Sequence, residues 1–185
     1  MGLHEKLILR HQSGQPVRVG LIGAGKFAAM YLAQIPKTPG IHLTGIADSD
    51  IKNAETNLQR VGWREERYGA ESIDHALKTQ KTFLTDDWES LVTHSKIEII
   101  IEATGNPIAA VEHVLKSIAN GKDIVMVTVE GDVLCGPLLA SKAKSAGVIY
   151  SLAYGDQPAL ICELVDWARA SGFKVTAAGR GHKWL

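Results

Sequence analysis

Short apolar runs alternate with segments of helical periodicity along most of the chain. Each apolar run has the length of a buried strand, and the segments between them carry apolar residues three or four positions apart. The pattern predicts strands at 17–22, 41–47, 82–84, 97–102, 124–129, 148–153 and 173–178. It predicts helices at 28–35, 51–61, 72–79, 87–94, 107–119, 137–146 and 159–170, after a leading helix or arm at 1–12.

This alternation of strands and helices determines the expected fold class. Near-continuous apolar strands separated by helices form a mostly parallel sheet with helices on both faces. Right-handed crossovers then give the doubly wound (Rossmann) α/β arrangement, in which ligands bind at the carboxyl ends of the strands. Residues 62–81 are more polar than the rest, and we interpret them as a solvated surface elaboration between the second and third strands.

The first apolar run ends in a glycine-rich turn that precedes a helical segment. Gly23 allows a tight turn, Gly25 lets a pyrophosphate approach the backbone, and Ala28 permits close packing of helix and sheet. The free N–H groups and the dipole of the new helix favour phosphate at the same place. We therefore expect the turn to bind a dinucleotide through Gly23, Ala24, Gly25, Lys26, Phe27 and Ala28.

Asp48 follows the second predicted strand, 25 positions after Gly23. An acid at this place accepts hydrogen bonds from the ribose hydroxyls of the adenosine. Asp48 can instead cap the next helix, but Asp50 is also able to do so. A carboxylate repels the 2′-phosphate of NADP and favours NAD, whereas Lys52 and Arg60 lie downstream, where they can reach a phosphate. The cofactor is therefore expected to be NAD or NADP.

Two further turns follow strands at the same predicted edge of the sheet. Thr104 and Gly105 come after the fourth strand, at the point where a dinucleotide crosses the sheet, and we expect both to border it. Asn106 is the predicted N-cap of the helix that follows. Glu130 and Asp132 come after the fifth strand, at the edge that borders the nicotinamide. They either bind substrate there or begin the next helix, and we expect Glu130 to border the cofactor.

The last two turns of interest lie near the end of the chain. Residues 154–158, Tyr-Gly-Asp-Gln-Pro, place several hydrogen-bonding groups in one turn, which is a binding turn or a helix cap. Residues 179–183, Gly-Arg-Gly-His-Lys, resemble a turn that contacts anions. Lys183 is the catalytic candidate because it can polarise a substrate carbonyl, although it can equally be a tail residue.

Composition and charge exclude several classes of protein. The 20 Lys and Arg balance 20 Asp and Glu, whereas a nucleic-acid or membrane surface needs a clustered basic face. We find neither a signal peptide nor an apolar run near the ~18 residues of a membrane span. Cys135 and Cys162 lie in apolar settings and are expected to be buried, reduced thiols of a cytoplasmic protein. The histidines, including His75, His94 and His113, lack metal-ligand spacing, so no metal is expected.

Four segments resemble, in this order, the homoserine dehydrogenase-like oxidoreductases. They are residues 19–27, Val-Gly-Leu-Ile-Gly-Ala-Gly-Lys-Phe; 45–48, Gly-Ile-Ala-Asp; 100–107, Ile-Ile-Glu-Ala-Thr-Gly-Asn-Pro; and 153–158, Ala-Tyr-Gly-Asp-Gln-Pro. Residues 128–132 and 154–158 resemble more specifically the deoxyxylulose-phosphate reductoisomerase-like branch, whose longer members end in a SAF domain. Homoserine dehydrogenases have an Asn-Lys pair where Val129 and Glu130 stand here. The resemblance to the branch implies NADPH.

Motifs and resemblance together predict an oxidoreductase that moves a hydride between NAD(P) and a small polar hydroxy or carbonyl substrate, such as a sugar acid or sugar phosphate. The alternatives are homoserine dehydrogenase and a non-catalytic, nucleotide-binding redox sensor. We expect a homo-oligomer with a small-molecule substrate and with neither nucleic acid nor membrane as partner. The expected domains are an arm or helix at 1–16, a dinucleotide-binding domain at 17–155, and at 156–185 a last helix and strand leading to a substrate domain that this chain lacks.

Overall fold

The computed structural model describes residues 2–155 and 157–179, and the chain divides into two compact units, Met1–Tyr150 and Ser151–Leu185. The strands are β1 (Val17–Ile22), β2 (Ile41–Ala47), β3 (Phe83–Thr85), β4 (Ile99–Glu102), β5 (Asp123–Met126) and β6 (Tyr150–Leu152). The helices are α1 (Leu3–Gln12), α2 (Ala28–Gln34), α3 (Ile51–Arg60), α4 (Glu65–Tyr68), α5 (Ile73–Thr79), α6 (Trp88–Thr93), α7 (Pro107–Ala119), α8 (Val129–Ala146) and α9 (Gln157–Ala170).

The strands form one sheet in the order β3-β2-β1-β4-β5-β6. The pairs β1–β2, β1–β4, β2–β3 and β4–β5 are all parallel, so the doubly wound α/β fold predicted from the sequence is confirmed. The strand order reverses between β1 and β4, which makes the gap between their carboxyl ends the topological switch point. Ile22 pairs with both Ala47 and Glu102, so the last residues of β1, β2 and β4 reach the same edge.

Alternate residues of β1 pack on opposite faces of the sheet. Leu21 belongs to one buried apolar cluster with residues of α2 and α3, whereas Ile22 belongs to another with residues of α5 and α6. Side chains that are almost completely buried include Leu21, Leu32, Ile46, Leu58, Leu91, Ile97, Ile100, Ile124 and Leu139. Burial of this apolar area, at roughly 25 cal/mol per Å², is the main force that holds helices against both faces of the sheet.

The predicted last strand at 173–178 is wrong. Residues 173–179 have no regular structure, and the N–H of Phe173 donates to the carbonyl oxygen of Ala168 at the end of α9. The Phe173 ring is 64% exposed and lies 6.5 Å from the ring of Trp167. An apolar run forms a strand only where a neighbouring strand can pair with it, and within the described residues this segment has none.

Helix α8 begins eight residues earlier than the prediction of 137–146. Glu130 and Asp132 therefore lie in its first turn, which agrees with the alternative that these residues begin the next helix. The helix is kinked at Cys135, whose φ of −151° and ψ of 24° are not helical, and Pro137 follows two residues later. Because proline cannot supply a helical N–H, Pro137 suggested the start of a helix. The kink at Cys135 instead lets α8 continue through Pro137.

The segment 62–81 is more buried than predicted. Its charged residues between 64 and 67 are exposed, but Trp63 and Tyr68 are only 8% and 6% exposed and belong to the core. The indole N–H of Trp63 donates to the carbonyl oxygen of Leu32 at 2.7 Å. The interpretation of residues 62–81 as a solvated elaboration is therefore wrong for Trp63 and Tyr68. Their side chains belong to the apolar cluster that contains residues of α2.

The two cysteines are free thiols, as expected, but their predicted burial is wrong. Cys135 is half-buried and Cys162 is exposed. Among the described residues, no helix combines the length and apolarity needed to cross a membrane.

His42 is a buried titratable group far along β2 from the strand's carboxyl end. It is 7% exposed, its Nε2 lies 2.8 Å from the carbonyl oxygen of Lys81, and its Nδ1 lies 3.2 Å from the hydroxyl oxygen of Thr44. Burial lowers the pKa of His42, the Lys81 carbonyl partly offsets this by raising the pKa, and the charge of Arg18 lowers it. The folded protein therefore holds a neutral imidazole at neutral pH.

We expect His42 to make the protein less stable in mild acid. Because folding lowers the pKa of His42, the unfolded chain binds the extra proton, so stability falls as the pH drops below the unfolded value of about 6.5. The variant His42→Gln keeps a donor for the Lys81 carbonyl but does not titrate. Its free energy of unfolding, measured by urea denaturation, should fall less between pH 7.5 and 5.5 than that of the wild type or of the exposed control His4→Gln. An equal fall in all three proteins would contradict this assignment.

Candidate dinucleotide site

Gly23 holds the glycine turn against the end of β4. Its φ is +92°, and a Cβ added there would lie 2.7 Å from the carbonyl carbon and oxygen of Ala103. The N–H of Gly23 donates to the carbonyl oxygen of Ala47 at 2.8 Å. The turn is therefore fixed between the carboxyl ends of β2 and β4, and only glycine combines this φ with this close approach.

Gly25 opens onto free space at the outer side of the same turn. A Cβ added there would meet nothing within 4 Å. Within the described residues, the backbone N–H groups of Gly25, Lys26 and Phe27 make no hydrogen bond, and the side chains of Lys26 and Phe27 are exposed. Ala28, in contrast, is 2% exposed and begins α2 against the sheet. The turn thus presents backbone donors to a ligand, and the room above Gly25 lets the ligand come close to the chain.

Asp48 joins the glycine turn to the turn after β2. Its Oδ2 accepts from the N–H of Ala24 at 2.7 Å, and its Oδ1 accepts from the N–H of Asp50 at 2.9 Å. Asp50 caps α3 through the N–H of Asn53 at 3.0 Å, which confirms it as the N-cap. Each oxygen of the half-buried Asp48 carboxylate keeps a further lone pair, so it can also accept from a ribose hydroxyl.

The two basic residues considered for a 2′-phosphate lie at opposite ends of α3. Lys52 is in the first turn and Arg60 in the last. At 1.5 Å per residue, Arg60 stands about 13 Å further along the helix axis than the helix start. An α3 residue that contacts the glycine turn is Asn57, whose side-chain N–H donates to the carbonyl oxygen of Ala24 at 3.0 Å. That Lys52 or Arg60 reaches a 2′-phosphate stays a prediction.

The turn after β4 is held by hydrogen bonds to buried side chains. The N–H and hydroxyl of Thr104 both donate to Oε1 of Glu102, the N–H at 3.2 Å. The N–H of Gly105 donates to the hydroxyl oxygen of Thr128 at 3.0 Å. Asn106 caps α7 through the N–H groups of its second and third residues, as predicted. Both Thr104 and Asn106 line the cleft between this turn and the glycine turn.

The turns after β1, β2, β3 and β4 surround a cleft of about 540 Å³, within the range of small-molecule and cofactor sites. It is lined by Ile22, Gly23, Gly25, Ala47, Asp48, Ser49, Asn53, Asp86, Trp88, Ala103, Thr104, Asn106, Ala109 and His113. The structure thus brings the predicted residues Gly23, Gly25, Asp48 and Thr104 together in one cleft at the topological switch point.

Trp88, His113 and Glu102 are among the residues at this cleft that were not predicted from the sequence. Trp88 and His113 line the cleft, and Glu102 lies behind it, completely buried. His113 was considered in the sequence only as a metal ligand, and its spacing did not favour that role. Its spacing offered a signal. Ala109 and the N-cap Asn106 precede it by four and seven positions, which places all three on one face of α7 and its cap.

The remaining predicted positions are Glu130, the turn 154–158 and Lys183. Glu130 is exposed in the first turn of α8 and is not among the residues that line the cleft. The hydroxyl of Tyr154, in the turn 154–158, donates to Oε2 of Glu163 at 2.9 Å. Asp156 and the catalytic candidate Lys183 lie outside the described residues.

Comparison with known families agrees with this geometry. The family model described as homoserine dehydrogenase, NAD binding domain, matches residues 19–153. The chain belongs to this family. A second model, described as oxidoreductase DRL, catalytic domain, matches residues 155–185. No curated protein is a significant match to the chain.

Solved structures show the same fold for this NAD-binding domain. A homoserine dehydrogenase from Thiobacillus denitrificans is 22% identical, with a TM-score of 0.58 over 74% of this chain and 29% of that chain. An NAD binding oxidoreductase from Klebsiella pneumoniae is 20% identical, with a TM-score of 0.54 over 85% and 39%. A biliverdin reductase from Synechocystis, solved with biliverdin and NADP⁺, is 17% identical, with a TM-score of 0.53 over 84% and 42%. The matched part of the chain thus spans less than half the length of each.

The residues of the cleft fit the cofactor that the family implies, which is NAD or NADP. The open space above Gly25 and the backbone donors of the turn suit a pyrophosphate, and Asp48 keeps acceptor capacity for a ribose.

Proposed function

We propose that this NAD-binding domain serves an NAD(P)-dependent oxidoreductase that moves a hydride to or from a small polar hydroxy or carbonyl substrate, such as a sugar acid or sugar phosphate. The observation that carries the proposal is the convergence of Gly25, Asp48 and Thr104 on one cleft at the topological switch point. When bound, the nicotinamide cofactor supplies or accepts the hydride.

The chain's own residues would bind and orient that cofactor. The backbone at Gly25 would hold the pyrophosphate, and Asp48 would accept from ribose hydroxyls while it keeps the glycine turn closed through Ala24. Thr104, fixed by Glu102, would border the cofactor where it crosses the sheet. Lys183 is our proposal for the group that polarises the substrate carbonyl, since a cation beside a developing alkoxide stabilises it.

We further propose that the enzyme belongs to the reductoisomerase-like, SAF-domain-containing branch. The match of residues 155–185 to the oxidoreductase DRL catalytic domain supports this, as do the residues Val129 and Glu130 in place of the Asn-Lys pair of homoserine dehydrogenases. We place the protein in the cytoplasm, in line with its free thiols. Exposed apolar side chains on α8, among them Val133 at 85% and Leu134 at 63% exposure, support a homo-oligomer.

The proposal is tested by calorimetric titration of the chain with NAD, NADH, NADP and NADPH. Binding of at least one of them is expected, and absence of binding to all four would overturn the cofactor role. Turnover by the full-length protein of sugar acids, polyol phosphates or homoserine then separates the substrate classes. Tight NADH binding without turnover of any of these substrates would instead favour the redox-sensing module.

Asp48 is expected to set the preference between the two cofactors. In Asp48→Asn the carboxylate no longer repels a 2′-phosphate, and the charged acceptor for the ribose is lost. A hydrogen bond to a charged group contributes about 1.5–3 kcal/mol, so the ratio of the Kd of NADPH to that of NADH should fall about tenfold or more. The control is Asp74→Asn, an equal change of charge on α5 whose carboxylate is 77% exposed. A wild-type preference above tenfold for the phosphorylated cofactors would remove Asp48 from this role.

A further inference from the structure

His113 occupies the wall of the cleft between α6 and α7. Its side chain is 7% exposed, and its ring centroid lies 4.5 Å from that of Trp88, with the ring planes inclined at 56°. Both rings line the cleft. The histidine is therefore packed firmly on one side and still borders the space that the cofactor would enter.

One ring nitrogen of His113 contacts the buried carboxyl group of Glu102. Its Nδ1 lies 3.3 Å from Oε1 of Glu102, the oxygen that also accepts the N–H and hydroxyl of Thr104. An oxygen that accepts from Thr104 twice acts as an acceptor toward His113 as well, so Nδ1 carries the proton. In the neutral ring, Nε2 is then an acceptor, and it has no hydrogen-bond partner among the described residues.

Burial of the Glu102 carboxyl group costs free energy of desolvation. This cost argues against a purely structural role for the Glu102–His113 pair. The Glu102 side chain is 0% exposed, and its Oε2 has no hydrogen-bond partner within the described part of the chain. An apolar residue would fill this space at the end of β4 without the desolvation cost of a carboxyl group. What the carboxyl group achieves is to hold two groups that line the cleft, Thr104 and the ring of His113.

We propose that His113 is a cofactor-binding residue and that Glu102 is its positioning residue. Nε2 of His113 accepts a hydrogen bond from a hydroxyl or amino group of the bound dinucleotide, while Glu102 fixes the tautomer and the ring orientation. The inference rests on the cofactor role of the cleft and adds to it a contact outside the glycine turn.

The first test is the affinity of His113→Phe for NADH, measured by calorimetry. Phenylalanine keeps a ring against Trp88 but has no acceptor, so the Kd should rise about five- to tenfold, the effect of one lost hydrogen bond. The control His75→Gln alters a histidine on α5 and should bind like the wild type. Energy transfer from tryptophan to bound NADH reports occupancy of the cleft, and it should weaken in Trp88→Phe.

A double-mutant cycle tests whether Glu102 acts through His113. Glu102→Gln should raise the Kd of NADH about threefold in the wild type. In His113→Phe the same substitution should raise the Kd by a smaller factor, because only the part of its effect that acts through Thr104 remains. A purely structural role of Glu102 would instead make the two increases multiply, which would overturn the positioning role.

Different results would contradict the His113 contact and the cofactor role of the cleft. Unchanged NADH affinity in His113→Phe, with binding by the wild type, overturns the contact alone, whereas absence of binding by the wild type overturns the cofactor role. If His113→Phe does not fold, the ¹⁵N signal of His113 Nε2 in the wild type decides. It should shift on addition of NADH as the nitrogen accepts a hydrogen bond, and an unchanged signal in the saturated protein would overturn the proposal.

Discussion

Replacement of Gly25 by alanine is expected to weaken NADH binding about 10- to 100-fold and to leave the unfolding temperature of the free protein unchanged. The added Cβ meets no protein atom within 4 Å, so the folded chain accommodates it without strain. It occupies the space through which a pyrophosphate would approach the free N–H groups of the turn. Loss of one charge-assisted hydrogen bond corresponds to about 1.5–3 kcal/mol, which sets the range of the expected effect.

The measurement is a calorimetric Kd together with a thermal unfolding curve. Gly2→Ala is the matched control, because a Cβ at Gly2 also meets nothing within 4 Å but lies at the start of α1, outside the cleft. An NADH affinity of Gly25→Ala equal to that of the control would show that no ligand approaches the backbone at this turn.

Gly23→Ala is expected to destabilise the fold itself, by about 2–5 kcal/mol. A left-handed φ of +92° costs a residue with a Cβ about 1–2 kcal/mol, and the collision with the Ala103 carbonyl adds the cost of overpacking, about 1–3 kcal/mol. In a domain of this size, the midpoint of thermal unfolding should fall by about 10 °C. Binding of NADH should be lost with the closed form of the turn.

Gly62→Ala separates the two causes of this effect. Gly62 has nearly the same φ, +88°, but a Cβ there meets nothing within 4 Å. It should therefore lose only the conformational part, about 1–2 kcal/mol. If Gly23→Ala were no less stable than Gly62→Ala, the close approach of the glycine turn to Ala103 would not exist in solution.

The sequence pattern correctly predicted those features that depend on residues close together in the chain. The bounds of β1 and β2 agree with the prediction to the residue, because each is a short apolar run enclosed by turn residues. The N-caps Asp50 and Asn106 were also predictable, since a cap bonds N–H groups two or three residues away. The same reasoning placed Gly23 and Gly25 in one tight turn.

Prediction from pattern was wrong where pairing or packing with distant residues decides the outcome. Residues 173–178 have a strand's composition, but within the described part of the chain no strand pairs with them. Trp63 lies in a polar segment, yet it is buried because Leu32 on α2 supplies both apolar contact and a hydrogen-bond acceptor. Neither outcome is visible in a window of neighbouring residues.

The sequence by itself determined the doubly wound fold, the glycine turn and the acid at the end of β2. Only the tertiary structure showed that Glu102 lies behind Thr104 and His113, and that Trp88 closes the same wall. The physical reason is the range of the interactions involved. Helical periodicity and N-caps depend on residues a few positions apart in the chain. The Glu102 carboxyl group, in contrast, joins β4 to His113 on α7, and these two elements meet only when α7 folds back onto the sheet.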